Sequence, residues 1–284
     1  MPAGPSVTAS ASTRTATALP ATGTRARSAL PVTARPRSKP NTTWSRPPAR
    51  AEMHPGAIAH PSPNFGPRRN GLRPELIVLH FTGMPRLEAA LARLCAPEHE
   101  VSAHYLIGRD GRLYALVNED ARAWHAGHGA WGGSGDVNSR SIGVELDCAG
   151  DHPFAAAQID RLEALLPGIM ARWQIPPQGV IGHSDLAPTR KADPGPRFDW
   201  LRLSRRGMSV WPEGDAGAPP VSEDGFLEAA GRFGYPVEAG AAPVLTAFRL
   251  RFRPGATGPL APGDMAAISD LAARFGVDRG GADT

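Results

Sequence analysis

From about residue 70 onward, short compact apolar runs alternate with longer runs whose apolar residues recur at helical spacing. That order requires strands paired into one sheet and covered by helices, an α/β layer fold. Glu75 to His80 reads as a buried strand ending at a histidine, and Leu87, Leu91 and Leu94 mark the helix after it. The runs His104–Gly108 and Arg112–Val117 flank Asp110-Gly111, a pair that supplies the positive φ angles of a tight hairpin turn. Ser141 to Leu146 alternates, with Ile142, Val144 and Leu146 on one face and Gly143 and Glu145 on the other. Ile159, Leu162, Leu166, Ile169 and Trp173 predict a long amphipathic helix that Pro167 should kink or split. Val180 to His183 reads as a last short strand, and the prolines between Ala187 and Phe198 fix the shape of a loop. The expected class is α/β: a mixed central β-sheet flanked by helices, followed by a small three-helix C-terminal domain.

Composition divides the chain into four parts. Residues 1–52 are rich in Ala, Thr, Ser, Pro and Arg, cannot bury enough apolar surface to order themselves, and are expected to be disordered. Met53 is a candidate start of translation. An α/β domain is expected over 53–212, a Pro/Gly/Ala-rich linker over 213–221, and the helical domain over 222–284. Its three helices are marked by Phe226, Leu227, Ala230 and Phe233, by Val244, Leu245, Phe248 and Phe252, and by Met265, Ile268, Leu271 and Phe275.

The formal charge of +4 and pI of 9.6 invite a nucleic-acid reading, but eight Lys/Arg and no acid lie in residues 1–51. The remainder holds 23 basic and 27 acidic residues, so no basic footprint for a phosphate backbone is expected. No apolar run approaches the roughly 18 residues of a membrane span. Cys95 and Cys148 stand far apart, outside any Cys-x-x-Cys spacing, and are read as small core residues.

A catalytic zinc site needs three nitrogen or oxygen ligands and a fourth position open to water. His80 and His183 each end a predicted strand, where ligands gather in α/β sheets, and Asp193 follows His183 across the proline-fixed loop. A single histidine at a strand end is more often a hydrogen-bonded structural residue; it is the joint context that makes these three candidates. Glu145 lies on the polar face of its strand, and Lys191 stands two residues before Asp193. His125 and His128 are three apart, but the glycines and alanines around them favour a loop, and His104 reads as a packing or supporting residue.

Several motifs occur in one order: Leu79-His80-Phe81-Thr82, Ser102-Ala103-His104-Tyr105, Arg109-Asp110-Gly111, Ala123-Trp124-His125-Ala126-Gly127, Asn138 to Leu146, Gly182-His183-Ser184-Asp185 and Lys191-Ala192-Asp193-Pro194-Gly195. Over about residues 60–212 the chain thereby resembles the zinc-dependent N-acetylmuramoyl-L-alanine amidases of the type-2 class, relatives of the peptidoglycan recognition proteins. The resemblance implies a Zn2+ held by His80, His183 and Asp193, Glu145 as general base and Lys191 as partner of the developing oxyanion. It also implies a substrate groove including Trp124, His125 and Asn138. The implied reaction is hydrolysis of the amide between N-acetylmuramic acid, or its anhydro form, and the L-alanine of the stem peptide. The partner is then peptidoglycan or a released muropeptide, and a monomer is expected. Ala247 to Pro254 resembles the helix signature of a small peptidoglycan-binding domain, whose members more often carry Gln where Arg249 stands. Two other readings stay open: a recognition module that binds stem peptides without cutting, and a zinc amidase for another acylated peptide. The absence of an export signal favours the cytoplasm, with the periplasm or outer membrane following from a different start.

Overall fold

The computed structural model describes residue 54 and residues 56–213 and 219–277. The expected disordered segment 1–52 and the central part of the expected linker, 214–218, lie outside the described residues. Six strands form one mixed sheet: β1 (Ile58–Ala59), β3 (Leu76–Phe81), β4 (Tyr105–Ile107), β5 (Leu113–Ala115), β7 (Ser141–Leu146) and β8 (Val180–Gly182). Their order is β1-β5-β4-β7-β3-β8, with β4 and β5 antiparallel and the other pairs parallel. β2 (Phe65–Pro67) and β6 (Ala121–Ala123) pair antiparallel in a separate ribbon.

The β4–β5 connection is a hairpin, but not one closed by two residues of positive φ. Only Gly111 adopts one, at +80°, while its N–H bonds the Gly108 carbonyl at 2.9 Å. This is a longer loop closed by a left-handed glycine. A Cβ on Gly111 would stand 2.8 Å from the carbonyl oxygen of Ala157, so the site also needs glycine for space.

Each sheet face is covered by different helices. Ile77, Leu79, Ile142, Val144 and Leu146 pack against α3 (Ala156–Trp173) through Leu162, Leu165, Leu166 and Ile169. Pro167 was expected to kink or split this helix; it runs unbroken. The lost hydrogen bond and ring clash cost about 3 kcal/mol. Four fully buried side chains at about 1.5–3 kcal/mol each outweigh that, and Pro167 itself faces solvent. On the opposite face α1 (Leu87–Cys95) covers Leu106 and Tyr114 through Ala90, Leu91 and Leu94. Further along that face, α6 (Glu223–Phe233), α7 (Ala241–Phe252) and α8 (Pro262–Phe275) share one apolar core with Leu76, Val78 and Ile181. All three helices follow the apolar spacing of the sequence. Cys148 is buried, Cys95 half-buried, and both thiols are free. Among the described residues no helix is long and apolar enough to cross a membrane.

Candidate active site

Strand register places the chemistry in a row. β3 and β7 run side by side with His80 opposite Glu145, and on the other flank of β3, Leu79 stands opposite Gly182 of β8. Alternation sends Ile77 and Leu79 into the α3 core and His80 to the opposite face; Glu145 departs from Val144 and Leu146 in the same way. His183, predicted to end β8, instead begins the short helix α4 (His183–Leu186). The turn is set by Asp185, whose Oδ2 accepts the Gly182 N–H at 2.8 Å and so satisfies a donor at the helix start. Asp193 returns to His183 because the Ser184 N–H binds the Asp193 carbonyl at 2.9 Å. The Asp193–Pro194 peptide is cis.

Three ligand atoms converge. His80 Nδ1 lies 2.9 Å from His183 Nδ1 and 3.0 Å from Asp193 Oδ2, and His183 Nδ1 lies 3.1 Å from the same oxygen. All three residues are buried, and they are the group of metal-ligating side chains found among the described residues. Tetrahedral bonds of about 2.0–2.1 Å separate ligand atoms by roughly 3.3 Å, so a divalent cation fits after shifts of a few tenths of an ångström. Burial, followed by the proximity of His183, lowers the His80 pKa to about 4. Burial opposes ionisation of Asp193, yet the adjacent His183 and His80 ring nitrogens, where they carry a proton, hold its carboxyl far below the usual carboxylate range. Two imidazoles and a carboxylate form a donor set that a cation completes.

Backbone carbonyls favour the ligating tautomer of both histidines, in which a cation takes the place of a proton on Nδ1. His183 Nε2 donates to the Ala126 carbonyl at 2.9 Å, which leaves the Nδ1 lone pair for the cluster. For His80 the constraint passes through two side chains. The Ser141 hydroxyl donates to the Val137 carbonyl at 2.5 Å, so its oxygen accepts from His125 Nε2 at 3.2 Å. His125 Nδ1 is then an acceptor for His80 Nε2 at 3.0 Å, and His80 Nδ1 is free to ligate. His125 is thus held by the ligand it supports while also lining the cavity; burial and then His80 push its pKa well down. His104 accepts the Gly143 N–H on Nδ1 and donates from Nε2 to the Ala121 carbonyl, a supporting position as expected. His128 is exposed and outside the cavity.

A cavity of about 340 Å³ opens over the cluster, lined by His80, His183, Asp193, Glu145, Lys191 and Trp124 among others. Buried Glu145 Oε2 has no hydrogen-bond partner among the described residues. Burial, then the Asp193 charge, raises its pKa to about 8, with Lys191 acting the other way. Asn138, which the resemblance implied as a groove residue, lies on the short helix α2 (Val137–Arg140) outside the lining of this cavity. Its Oδ1 accepts the N–H groups of His125 and Ala126 at 3.0 and 2.8 Å, fixing the segment that supports both ligand histidines. The sequence reading also missed the far wall, formed by Met84, Arg93, Leu94, Val101 and Ser102. Gly143 carried an available signal: a glycine inside a strand marks a close approach, and here a Cβ would stand 2.5 Å from the His125 ring.

Residues 70–196 match the family model described as N-acetylmuramoyl-L-alanine amidase. Over 237 residues the chain is 35% identical to N-acetylmuramoyl-L-alanine amidase AmiD of Escherichia coli K12, covering 72% of this chain and 85% of that protein. The chain belongs to the N-acetylmuramoyl-L-alanine amidase family. It is also 35% identical over 160 residues to the 1,6-anhydro-N-acetylmuramyl-L-alanine amidase AmpD of Enterobacter cloacae, covering 50% of this chain and 86% of that enzyme. Among solved structures, AmiD from E. coli, in complex with anhydro-N-acetylmuramic acid-L-Ala-D-γ-Glu-L-Lys as substrate, superposes with a TM-score of 0.66 at 33% identity, covering 73% of this chain and 92% of that one. AmpDh3 from Pseudomonas aeruginosa gives 0.66 at 31% identity, covering 73% and 94%. The shared region takes in the whole convergent cluster of this amidase.

Proposed function

We propose that this amidase hydrolyses the amide joining the lactyl group of N-acetylmuramic acid, or its anhydro form, to the L-alanine of the stem peptide, and that its metal is zinc. The observation that carries the reading is the approach of His80, His183 and Asp193 to within 3.1 Å of one another beneath a cavity that also holds an unpartnered Glu145 oxygen. Bound by these residues, zinc would supply Lewis acidity and bring the pKa of a water to about 7.

The protein's own residues then have separable tasks. Glu145 takes a proton from the attacking water as the water oxygen bonds to the amide carbon. The same carboxyl returns that proton to the nitrogen as the carbon–nitrogen bond breaks, giving a lactyl carboxylate and a free peptide amine. The carboxyl must hold the proton between the two events, and its buried, unpartnered Oε2 has no competing hydrogen bond among the described residues. Lys191 offsets negative charge growing on the carbonyl oxygen. Trp124 presents its indole to the cavity as a platform for substrate. His125 and Asn138 act on substrate indirectly, through the ligands and backbone they hold.

Incubation with anhydro-N-acetylmuramyl tripeptide, followed by chromatography and mass spectrometry, tests the reading. Intact tripeptide and free anhydro-N-acetylmuramic acid are expected from the wild-type protein and only traces from Glu145→Gln. Cleavage within the peptide, or equal turnover by both proteins, would refute it.

A further inference from the structure

The three C-terminal helices touch the fold where His183 is held. Asp185, two residues after that ligand, is fully buried and shapes the first turn of α4 through its bond to the Gly182 N–H. Both of its oxygens have further partners, and both come from the C-terminal helical region. The Tyr235 hydroxyl donates to Oδ1 at 2.8 Å, and Arg251 of α7 donates to Oδ2 at 2.9 Å. Arg251 is itself 2% exposed. It also donates to the Val180 carbonyl at 2.8 Å, on the strand leading to His183, and its guanidinium lies 4.5 Å from the centre of the Trp200 ring. A buried guanidinium answering a buried carboxylate is costly to leave half-paired, so the two must stay together.

A second connection reaches the other side of the same imidazole. His183 Nε2 donates to the Ala126 carbonyl, and the loop continuing from Ala126 reaches Trp131. Trp131 packs edge-on against Tyr235 and Phe233, with ring centres 5.1 and 5.7 Å apart, and the Gly132 N–H bonds the Gly234 carbonyl at 2.9 Å. The backbone that carries His183 and the segment that orients its ring are therefore latched to one unit. Arg249, the departure from the binding-domain signature, is committed elsewhere: to Asp264 and to the carbonyls of Gly258 and Pro259.

We propose that the C-terminal helices clamp His183 in its ligating position, with Arg251 and Tyr235 as positioning residues acting through Asp185. The inference rests on the reading of His80, His183 and Asp193 as metal ligands. Residues that support a metal ligand from outside typically carry 10–100-fold in affinity.

The test measures zinc affinity of the full chain by competition with a chromophoric chelator, alongside thermal unfolding and kinetics. Tyr235→Phe, which removes one hydroxyl, is expected to weaken zinc binding about tenfold, and Arg251→Met more. For both, kcat falls at zinc concentrations where KM for muropeptide is unchanged. Arg249→Gln breaks a pair internal to the helices; it is expected to lower the melting temperature and leave zinc affinity at the wild-type value. Wild-type zinc affinity in Tyr235→Phe and Arg251→Met would overturn the clamp. Equal weakening in Arg249→Gln would also overturn it, as general loosening. A wild-type protein that binds no zinc would instead remove the ligand assignment beneath it.

Discussion

Gly143→Ala places a methyl group where the His125 ring now sits. The new Cβ would stand 2.5, 2.6 and 2.7 Å from the ring atoms Cγ, Cδ2 and Nδ1, against 3.4–4 Å for ordinary contact. The ring must retreat by about 1 Å, and a shift of that size breaks or misaligns the 3.0 Å hydrogen bond with His80 Nε2. Two separable losses follow. Overpacking a close-fitted core costs about 1–3 kcal/mol, and at roughly 2–4 °C per kcal/mol the metal-free protein should melt several degrees lower. Losing the group that fixes the His80 tautomer should weaken zinc binding about 10–100-fold. Differential scanning calorimetry and chelator competition measure the two effects independently. Adding His125→Ala makes room for the methyl, so the double variant should be no less stable than His125→Ala alone while binding zinc equally weakly. Unchanged zinc affinity in Gly143→Ala would refute the chain of contacts from Ser141 through His125 to His80.

Glu145→Gln should retain one zinc per chain and lose about 10²–10⁴-fold in kcat, as metal analysis and steady-state kinetics would measure. In the metal-free protein, folding raises the Glu145 pKa from 4.5 to about 8, so the folded state gains a proton between those values. The Glu145 contribution to stability therefore falls as pH rises through that window, and thermal melts should show this slope reduced in Glu145→Gln. Lys191→Met removes a charge that favours the carboxylate, and should move the acid limb of the rate profile to higher pH. Chelation of the wild type should abolish turnover and zinc should restore it, whereas His183→Ala should bind zinc at least 100-fold more weakly by competition assay. Arg93 is an exposed guanidinium on the cavity wall; Arg93→Ala should raise KM for stem peptides bearing a free glutamyl carboxylate more than for their amidated forms, with kcat little changed.

The row of His80, Glu145 and His183 was legible because period-two alternation and strand-end placement are written in the local sequence. Asp193 was legible through its motif and the rigid loop before it. The hydrogen-bonding role of Asn138 was not legible, because an amide near an aromatic groove looks the same in sequence whether it faces ligand or backbone. Only the folded chain shows its oxygen bonded to two N–H groups. Pro167 signalled a break that the buried Leu162, Leu165, Leu166 and Ile169 around it outweigh, a tertiary gain that local pattern does not carry. The short strands β1, β2 and β6 and the helix α5 (Trp200–Arg205) escaped prediction because they are too brief to set up a period. The C-terminal helices were visible as helices. Their joint core with the sheet, and the burial of Arg251 against Asp185, were not, since charged residues in a helical pattern ordinarily face water.

In the proposed reaction one cation, held by two imidazoles and a carboxylate beside Glu145, would activate water for attack on a sugar–peptide amide. Turnover of anhydro-N-acetylmuramyl tripeptide by the zinc-loaded protein in ¹⁸O-water tests it most directly. Mass spectrometry should find the label in the lactyl carboxylate of the sugar and none in the tripeptide, with no product after the metal is stripped. Label in the peptide, or undiminished turnover by the stripped protein, would rule out this reaction.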